Sequence, residues 1–143
     1  MTDTRVSWEK YFMNIAQEVS SRSTCDRKHV GAVIVRGKTI LSTGYNGSIK
    51  GLNHCDDVGH EMDNGHCVRT IHAEANAITN LIVRQIDCYK AYITHLPCAN
   101  CAKLFWQTGV TEWYVPVGSK AHGAKKEDKI VYDHLIETGL EIT

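Results

Sequence analysis

Two short segments constrain this chain more than any other: His72-Ala73-Glu74 and, farther along, Pro97-Cys98-Ala99-Asn100-Cys101. Imidazole and thiolate are the ligands zinc prefers, and three protein ligands leave a coordination position open for water. His72, Cys98 and Cys101 supply three such ligands, so the fold must bring the two segments together around one ion. Cys98 and Cys101 are three apart and share a face if helical, and Pro97 suits the first turn of that helix, where its missing N–H costs nothing. Both thiols are then expected in a first turn, whose partial positive charge and free N–H groups favour the thiolate. His72 is expected to precede a second helix in the same way. Two strand-to-helix junctions at one edge of a sheet can build such a site. Two thiolates cancel the charge of the dication, which lowers the pKa of its bound water toward neutrality.

Glu74 lies two residues from His72, a spacing that mid-helix would put them on nearly opposite faces. If His72 lies at the helix boundary, Glu74 points beside the metal, within reach of the water, where a general acid/base must be. Alone, C-x-x-C is often half of a structural zinc site and His-x-Glu means little. Together and in this order they indicate a catalytic zinc centre.

At 143 residues the chain is expected to form a single domain over 1–143. Sixteen basic residues balance sixteen acidic ones, so no overall field gathers a polyanion, and no nucleic-acid partner is expected. The first ten residues are polar and mixed in charge, and no apolar run reaches membrane-spanning length, so no membrane partner and a cytoplasmic location are expected. Of the six cysteines, Cys55 and Cys67 directly follow histidines, and no secretory signal is expected, which favours metal binding over disulfides.

Ser7 can cap a helix with Trp8, Tyr11, Phe12, Ile15 and Val19 on its buried stripe. Residues 30–36 (VGAVIVR) turn at Gly37-Lys38 into 39–43, a hairpin pattern. Residues 46–69 show no sustained period and hold four glycines, three histidines and two cysteines, and a loop of that length needs something to hold it. A helix is expected over 73–85 with Ala77, Ile78, Leu81 and Ile82 buried, then a strand over 89–94, a helix from Pro97 to about 108, and a strand over 112–117. A last helix follows over 126–137 with Ile130, Leu135 and Ile136 inward, and a short strand at 140–142. Alternating strands and helices predict an α/β fold with a mixed sheet covered on both faces.

The H-x-E and P-C-x-x-C pair is the signature of zinc-dependent base deaminases. On that pair, on Gly44-Tyr45-Asn46-Gly47-Ser48, on residues 67–78 (CVRTIHAEANAI) and on residues 97–103 (PCANCAK), the chain resembles the cytidine deaminase superfamily, and within it the phage and bacterial deoxycytidylate (dCMP) deaminases. The resemblance covers nearly the whole chain. It implies a three-layer α-β-α fold with a roughly five-stranded mixed sheet. It also implies hydrolysis of dCMP to dUMP and ammonia, feeding thymidylate synthesis: a zinc-activated water attacks C4 while Glu74 passes its proton to N3 and then to the departing amine.

In substrate binding, the resemblance gives Asn46 a contact with the sugar or base, although Asn-Gly is first of all a turn signal. It gives Ala73 a backbone N–H lining the base pocket. Arg27 and Lys28 are the nearest cations in sequence for the phosphate, with Lys120, Lys125 and Lys126 as rivals. Cys25, His54, Cys55, His60, His66 and Cys67 remain. Adjacent Cys and His invite a second, closed zinc site, and the resemblance assigns it to Cys25, Cys55, His60 and His66; otherwise these are ordinary loop residues. The resemblance further implies a homohexamer activated by dCTP and inhibited by dTTP, these effectors carrying Mg2+ and binding near Asn46, Gly47 and Ser48. Two other readings remain: the same chemistry on free cytidine or on a base within tRNA or DNA, and a non-catalytic zinc-held module.

Overall fold

The first helix begins where its cap predicts. In this computed structural model, which describes residues 3–25, 28–63, 66–67, 69–82, 89–116 and 126–143, with only the backbone of Asp56, His66 and Cys67, Ser7 Oγ accepts the Lys10 N–H at 3.2 Å and α1 (Trp8–Ser20) follows. The buried stripe is Phe12, Ala16 and Ser20, while Trp8 and Tyr11, expected inside, are exposed. The reason lies opposite: a Cβ at Gly31 would sit 2.1 Å from the Ala16 carbonyl oxygen, so the small residues let α1 lie close on the sheet. Its wider aromatic rings are left at the margin, Trp8 stacked on Phe12 and Tyr11 tilted against it.

β1 (Gly31–Arg36) and β2 (Thr39–Tyr45) form the expected antiparallel hairpin, turning at Gly37 with φ +60°. The long polar segment contains only short elements: β3 (Gly47–Ser48), α2 (Cys55–Val58), β4 (Met62–Asp63), β5 (His66–Cys67) and β6 (Thr70–Ile71). Then come α3 (Ala73–Thr79), β7 (Tyr89–Ile93), α4 (Ala99–Thr108), β8 (Val110–Tyr114), α5 (Lys126–Thr138) and β9 (Glu141–Ile142). The sheet order is β2-β1-β7-β8-β9; pairing is antiparallel as far as β7 and parallel beyond it.

Alternation along the strands builds the three layers. Val33, Val35 and Tyr92 meet Phe12 and Ala16 of α1 on one face. Ala32, Ile34, Ala91 and Ile93 meet Ala73 and Ala77 of α3, Ala102 and Phe105 of α4, and Tyr132 and Leu135 of α5 on the other. This is the expected α-β-α arrangement with a five-stranded mixed sheet. No helix among the described residues is long and apolar enough to cross a membrane.

Helices α3 and α5 also differ from expectation. α3 stops at Thr79 instead of near 85, and Ile82, expected inside, is 92% exposed. Asn80 at the C-cap turns its Nδ2 to the Thr43 carbonyl, and Asn76 reaches Tyr45 in the same way, both at 2.9 Å. With Ser42 Oγ donating to the Ala77 carbonyl, these bonds fasten α3 along β2. Residues 83–88 lie outside the described residues. In α5 the buried stripe is Asp128, Tyr132 and Leu135, while Ile130 and Ile136 are about half exposed. A carboxylate and a phenol point inward because both find partners there.

Candidate active site and metal clusters

His72 is the N-cap of α3, with extended φ −64° and ψ 150°, so Glu74 falls at the second helical position. The boundary placement that the sequence required is therefore present. Gly44 brings α3 down onto β2: a Cβ there would lie 2.3 Å from both the Ala73 carbonyl oxygen and the Ala77 nitrogen. Cys98 is the N-cap of α4, with φ −70° and ψ 168°, and Cys101 lies in its first turn. The expectation that Pro97 and both thiols share that turn is thus corrected. Pro97 precedes the cap, and Cys98 takes the extended cap conformation that turns the chain from the end of β7 into the helix.

The two helix starts bring their ligands together. His72 Nδ1 lies 3.5 Å from Cys98 Sγ and 3.4 Å from Cys101 Sγ, and the three donor atoms all lie within 4.8 Å of one another. Tetrahedral zinc with its usual Zn–N and Zn–S lengths sets such atoms about 3.6 Å apart, so the donor set fits zinc. Glu74 is not one of these ligands and is 5% exposed.

Electrostatics follow from this packing. The Cys98 thiol is pushed down to about 4, first by its hydrogen bond with Cys101, with His72 and the Cys101 backbone N–H acting in the same sense. Cys101 is pushed up by the same bond with Cys98 and by burial, so the pair holds one proton that a metal would displace. His72 is raised, chiefly by its bond to Cys98. Burial raises Glu74 above the usual carboxylate range, against the opposing pull of His72.

The other sequence-derived residues divide. Ala73 is fully buried at the start of α3. Asn46 is buried, with Oδ1 accepting the Val30 N–H at 2.9 Å and Nδ2 donating to the Lys28 carbonyl at 2.5 Å. Each end of that amide keeps capacity for one further partner. Gly47 and Ser48 pair with Ile71 and Thr70, the residues just before His72. Lys28 is half-buried; desolvation lowers its pKa while the Glu74 carboxylate acts in the opposite sense. Arg27 lies outside the described residues, as do Lys120 and Lys125, and Lys126 opens α5 in an exposed position.

A second cluster stands apart from the first. Cys25, Cys55 and His60 offer donor atoms within 4.8 Å of one another, with Cys25 Sγ 3.5 Å from His60 Nδ1. The His66 backbone lies in β5, paired with Asp63, and its side chain is outside the described set. His54 is exposed at the N-cap of α2. Sequence reasoning missed the residue that ties this loop to the strand leading into His72. Arg69 Nη1 meets Glu61 Oε1 at 2.6 Å, and Nη2 donates to the Asn53 carbonyl at 2.9 Å. It also missed Asp128 and Tyr132, whose inward positions no apolar periodicity signals.

The family described as "Cytidine and deoxycytidylate deaminase zinc-binding region" matches residues 6–117. The chain is 44% identical over 125 residues to ComE operon protein 2 of Bacillus subtilis, covering 86% of this chain and 66% of that protein. It is 30% identical over 125 residues to the deoxycytidylate deaminase of Mycobacterium phage D29, covering 79% of this chain and 97% of that one. The chain spans just under two thirds of the Bacillus protein and 36% of the Schizosaccharomyces pombe deoxycytidylate deaminase that it also matches. Among solved structures, the dCMP deaminase of cyanophage S-TIM5 in complex with dCMP and dUMP superposes with a TM-score of 0.76 at 27% identity, covering 99% of this chain and 98% of that one.

Proposed function

This chain belongs to the cytidine and deoxycytidylate deaminase family, and from that premise we propose that it hydrolyses dCMP to dUMP and ammonia with zinc held by His72, Cys98 and Cys101. The observation that carries the reading is Glu74, a buried carboxylate beside the three ligands and not among them. When bound, zinc supplies a Lewis acid that lowers the pKa of a coordinated water toward neutrality.

Glu74 takes one proton of the attacking water and delivers it to ring N3, then carries the second, from the new C4 hydroxyl, to the amine as the C4–N bond breaks, leaving the C4 carbonyl and ammonia. Burial suits it to that task, because desolvation raises the carboxylate above its ordinary range and makes it a stronger base for the water proton. The Ala73 N–H lines the base pocket, and the remaining capacity of the Asn46 amide serves the sugar. Lys28, half-buried and within the electrostatic reach of Glu74, meets the 5′-phosphate together with Arg27. The names of the Mycobacterium phage and cyanophage relatives support dCMP over a base in nucleic acid, as does the balanced charge of the chain.

Ammonia release from dCMP, deoxycytidine, cytidine and a tRNA tests the reading; dCMP is expected to be turned over far faster than the rest, and equal or better turnover of the tRNA base would sink it. Lys28→Ala is expected to raise KM for dCMP much more than for deoxycytidine, and equal losses on both would remove Lys28 from the phosphate site.

Cys25, Cys55 and His60, completed by His66, form in this reading a closed structural zinc site. The chain then carries two zinc ions when purified without chelator; one ion per chain would remove the second site. Assembly into a hexamer, with dCTP and dTTP acting through Mg2+ near Asn46, Gly47 and Ser48, belongs to the same reading. Sedimentation with and without each triphosphate, set beside the rate curve, tests it.

A further inference from the structure

The segment that carries Cys98 runs from the end of β7, where the Thr94 N–H donates to the Gly31 carbonyl at 3.0 Å, to the start of α4. β7 ends at Ile93, and Pro97 has no N–H to offer a neighbouring strand. A zinc site nonetheless needs ligand distances held to within about 0.2 Å. A hold on both sides of Cys98 comes from α5, which lies beyond the residues matched by the family description.

Asp128 and Tyr132 stand four apart, hence on one face of α5, and both point inward. Asp128 is 5% exposed, and its Oδ1 accepts the Ala99 N–H at 2.8 Å. That N–H is one of the donors a helix start leaves without an internal partner. One turn farther along, the Tyr132 hydroxyl donates to the Pro97 carbonyl. The two bonds grip the backbone on either side of Cys98. Burial and the surrounding negative groups, Glu74 and Asp128 first among them, push the Tyr132 phenol up, so it stays an O–H donor. Its ring is fixed edge-on against Trp113 at 5.6 Å, and Trp113 in turn meets Phe105 of α4 at 5.9 Å.

We propose that Asp128 and Tyr132 are positioning residues of the metal centre: from α5 they clamp the backbone flanking Cys98 and hold its thiolate at the distance from His72 and Cys101 that zinc requires. The inference rests on those three residues being zinc ligands. Outer partners that fix ligand geometry change metal affinity by roughly 10- to 100-fold when removed. Asp128→Ala is therefore expected to weaken zinc binding by roughly 10- to 100-fold, whereas Asp128→Asn, which keeps an acceptor oxygen for Ala99, stays near wild type. Tyr132→Phe, losing one hydroxyl, is expected to weaken it by less.

The test is zinc affinity by competition with a metallochromic chelator, with the His72 site distinguished by its loss in Cys98→Ser. The thiolate charge-transfer absorption of the cobalt-loaded chain gives a second readout, expected to shift in Asp128→Ala and Tyr132→Phe. A role confined to packing would lower the melting temperature of the metal-free variants and leave both readouts unmoved, which overturns the proposal. An Asn variant as weak as Ala overturns the acceptor role of Asp128. If Asp128→Ala does not fold, Tyr132→Phe decides alone, unchanged affinity again overturning the clamp. Wild-type chain without zinc at His72 would instead overturn the proposed function, and the two failures are separable.

Discussion

The two Cys/His clusters use the same ligand chemistry in different settings. Cys98 and His72 are helix N-caps and Cys101 sits in a first turn, all anchored by helices that pack on the sheet. Cys25 follows the end of α1, and Cys55 and His60 lie in a segment whose longest described element is the four-residue α2. The first cluster has a buried carboxylate at its side; the second has Arg69 and Glu61 near the surface, tying loop to strand. Donor type selects the metal, and the setting decides whether the metal meets a substrate or fastens a loop.

The sharpest way to break this contrast is Glu74→Gln. Loss of a general acid/base is expected to lower kcat by about 10^2- to 10^4-fold while zinc content stays the same. A Gln variant with wild-type kcat would erase the distinction between the clusters. The same change should raise the melting temperature. Glu74 has a folded pKa raised by burial, so its contribution to stability is fully present below the ordinary carboxylate pKa of about 4.3 and is lost as pH rises through the folded value. The gain from Gln is therefore expected at neutral pH and should vanish in acid, as read by thermal melts across pH.

Cys55→Ser addresses the other side. Losing a metal present at a hundredfold over its Kd removes about 2.7 kcal/mol, which for a chain of this size is a drop of about 5–10 °C. The kcat measured well below that transition is expected to stay within a few-fold of wild type. A loss of turnover as large as that of Glu74→Gln would mean the second cluster shapes the reaction itself.

Gly44→Ala sharpens the contrast from within the fold. The added methyl would meet the backbone of Ala73 and Ala77, and overpacking of this kind costs about 1–3 kcal/mol. Because α3 carries both His72 and Glu74, kcat should fall along with stability, while any zinc bound at the proposed second site of Cys25, Cys55 and His60 is retained.

Much of this was legible from local rules. Ser7 as a cap, the hairpin about Gly37 and the boundary position of His72 all follow from residue type and spacing. The failures have a shared cause. Ile82 continues the apolar period of α3 and predicts a longer helix, yet Asn80 turns its amide to β2 and ends it. In α5 the apolar spacing points Ile130, Leu135 and Ile136 inward, yet Asp128 and Tyr132 are buried with Leu135, because the start of α4, distant in sequence, supplies their partners. In α1 the close approach allowed by Gly31 favoured Ala16 over the larger Trp8. In each case a tertiary partner outweighed the local pattern.

The change of strand direction at β7 has a consequence for how the molecule comes apart. Hairpin β1–β2 and the parallel β7-β8-β9 unit are each made of neighbours in sequence, and they are joined at the β1–β7 seam, which pairs Ala32 with Ile93 across a long stretch of chain. α3, with His72, is fastened to the hairpin through Gly44 and Ser42, whereas Cys98 and Cys101 follow β7. An ion held by all three ligands therefore bridges the late, non-local join and resists its opening. Its removal is expected to quicken unfolding more than it slows refolding, so metal content sets the lifetime of the native state as well as its depth.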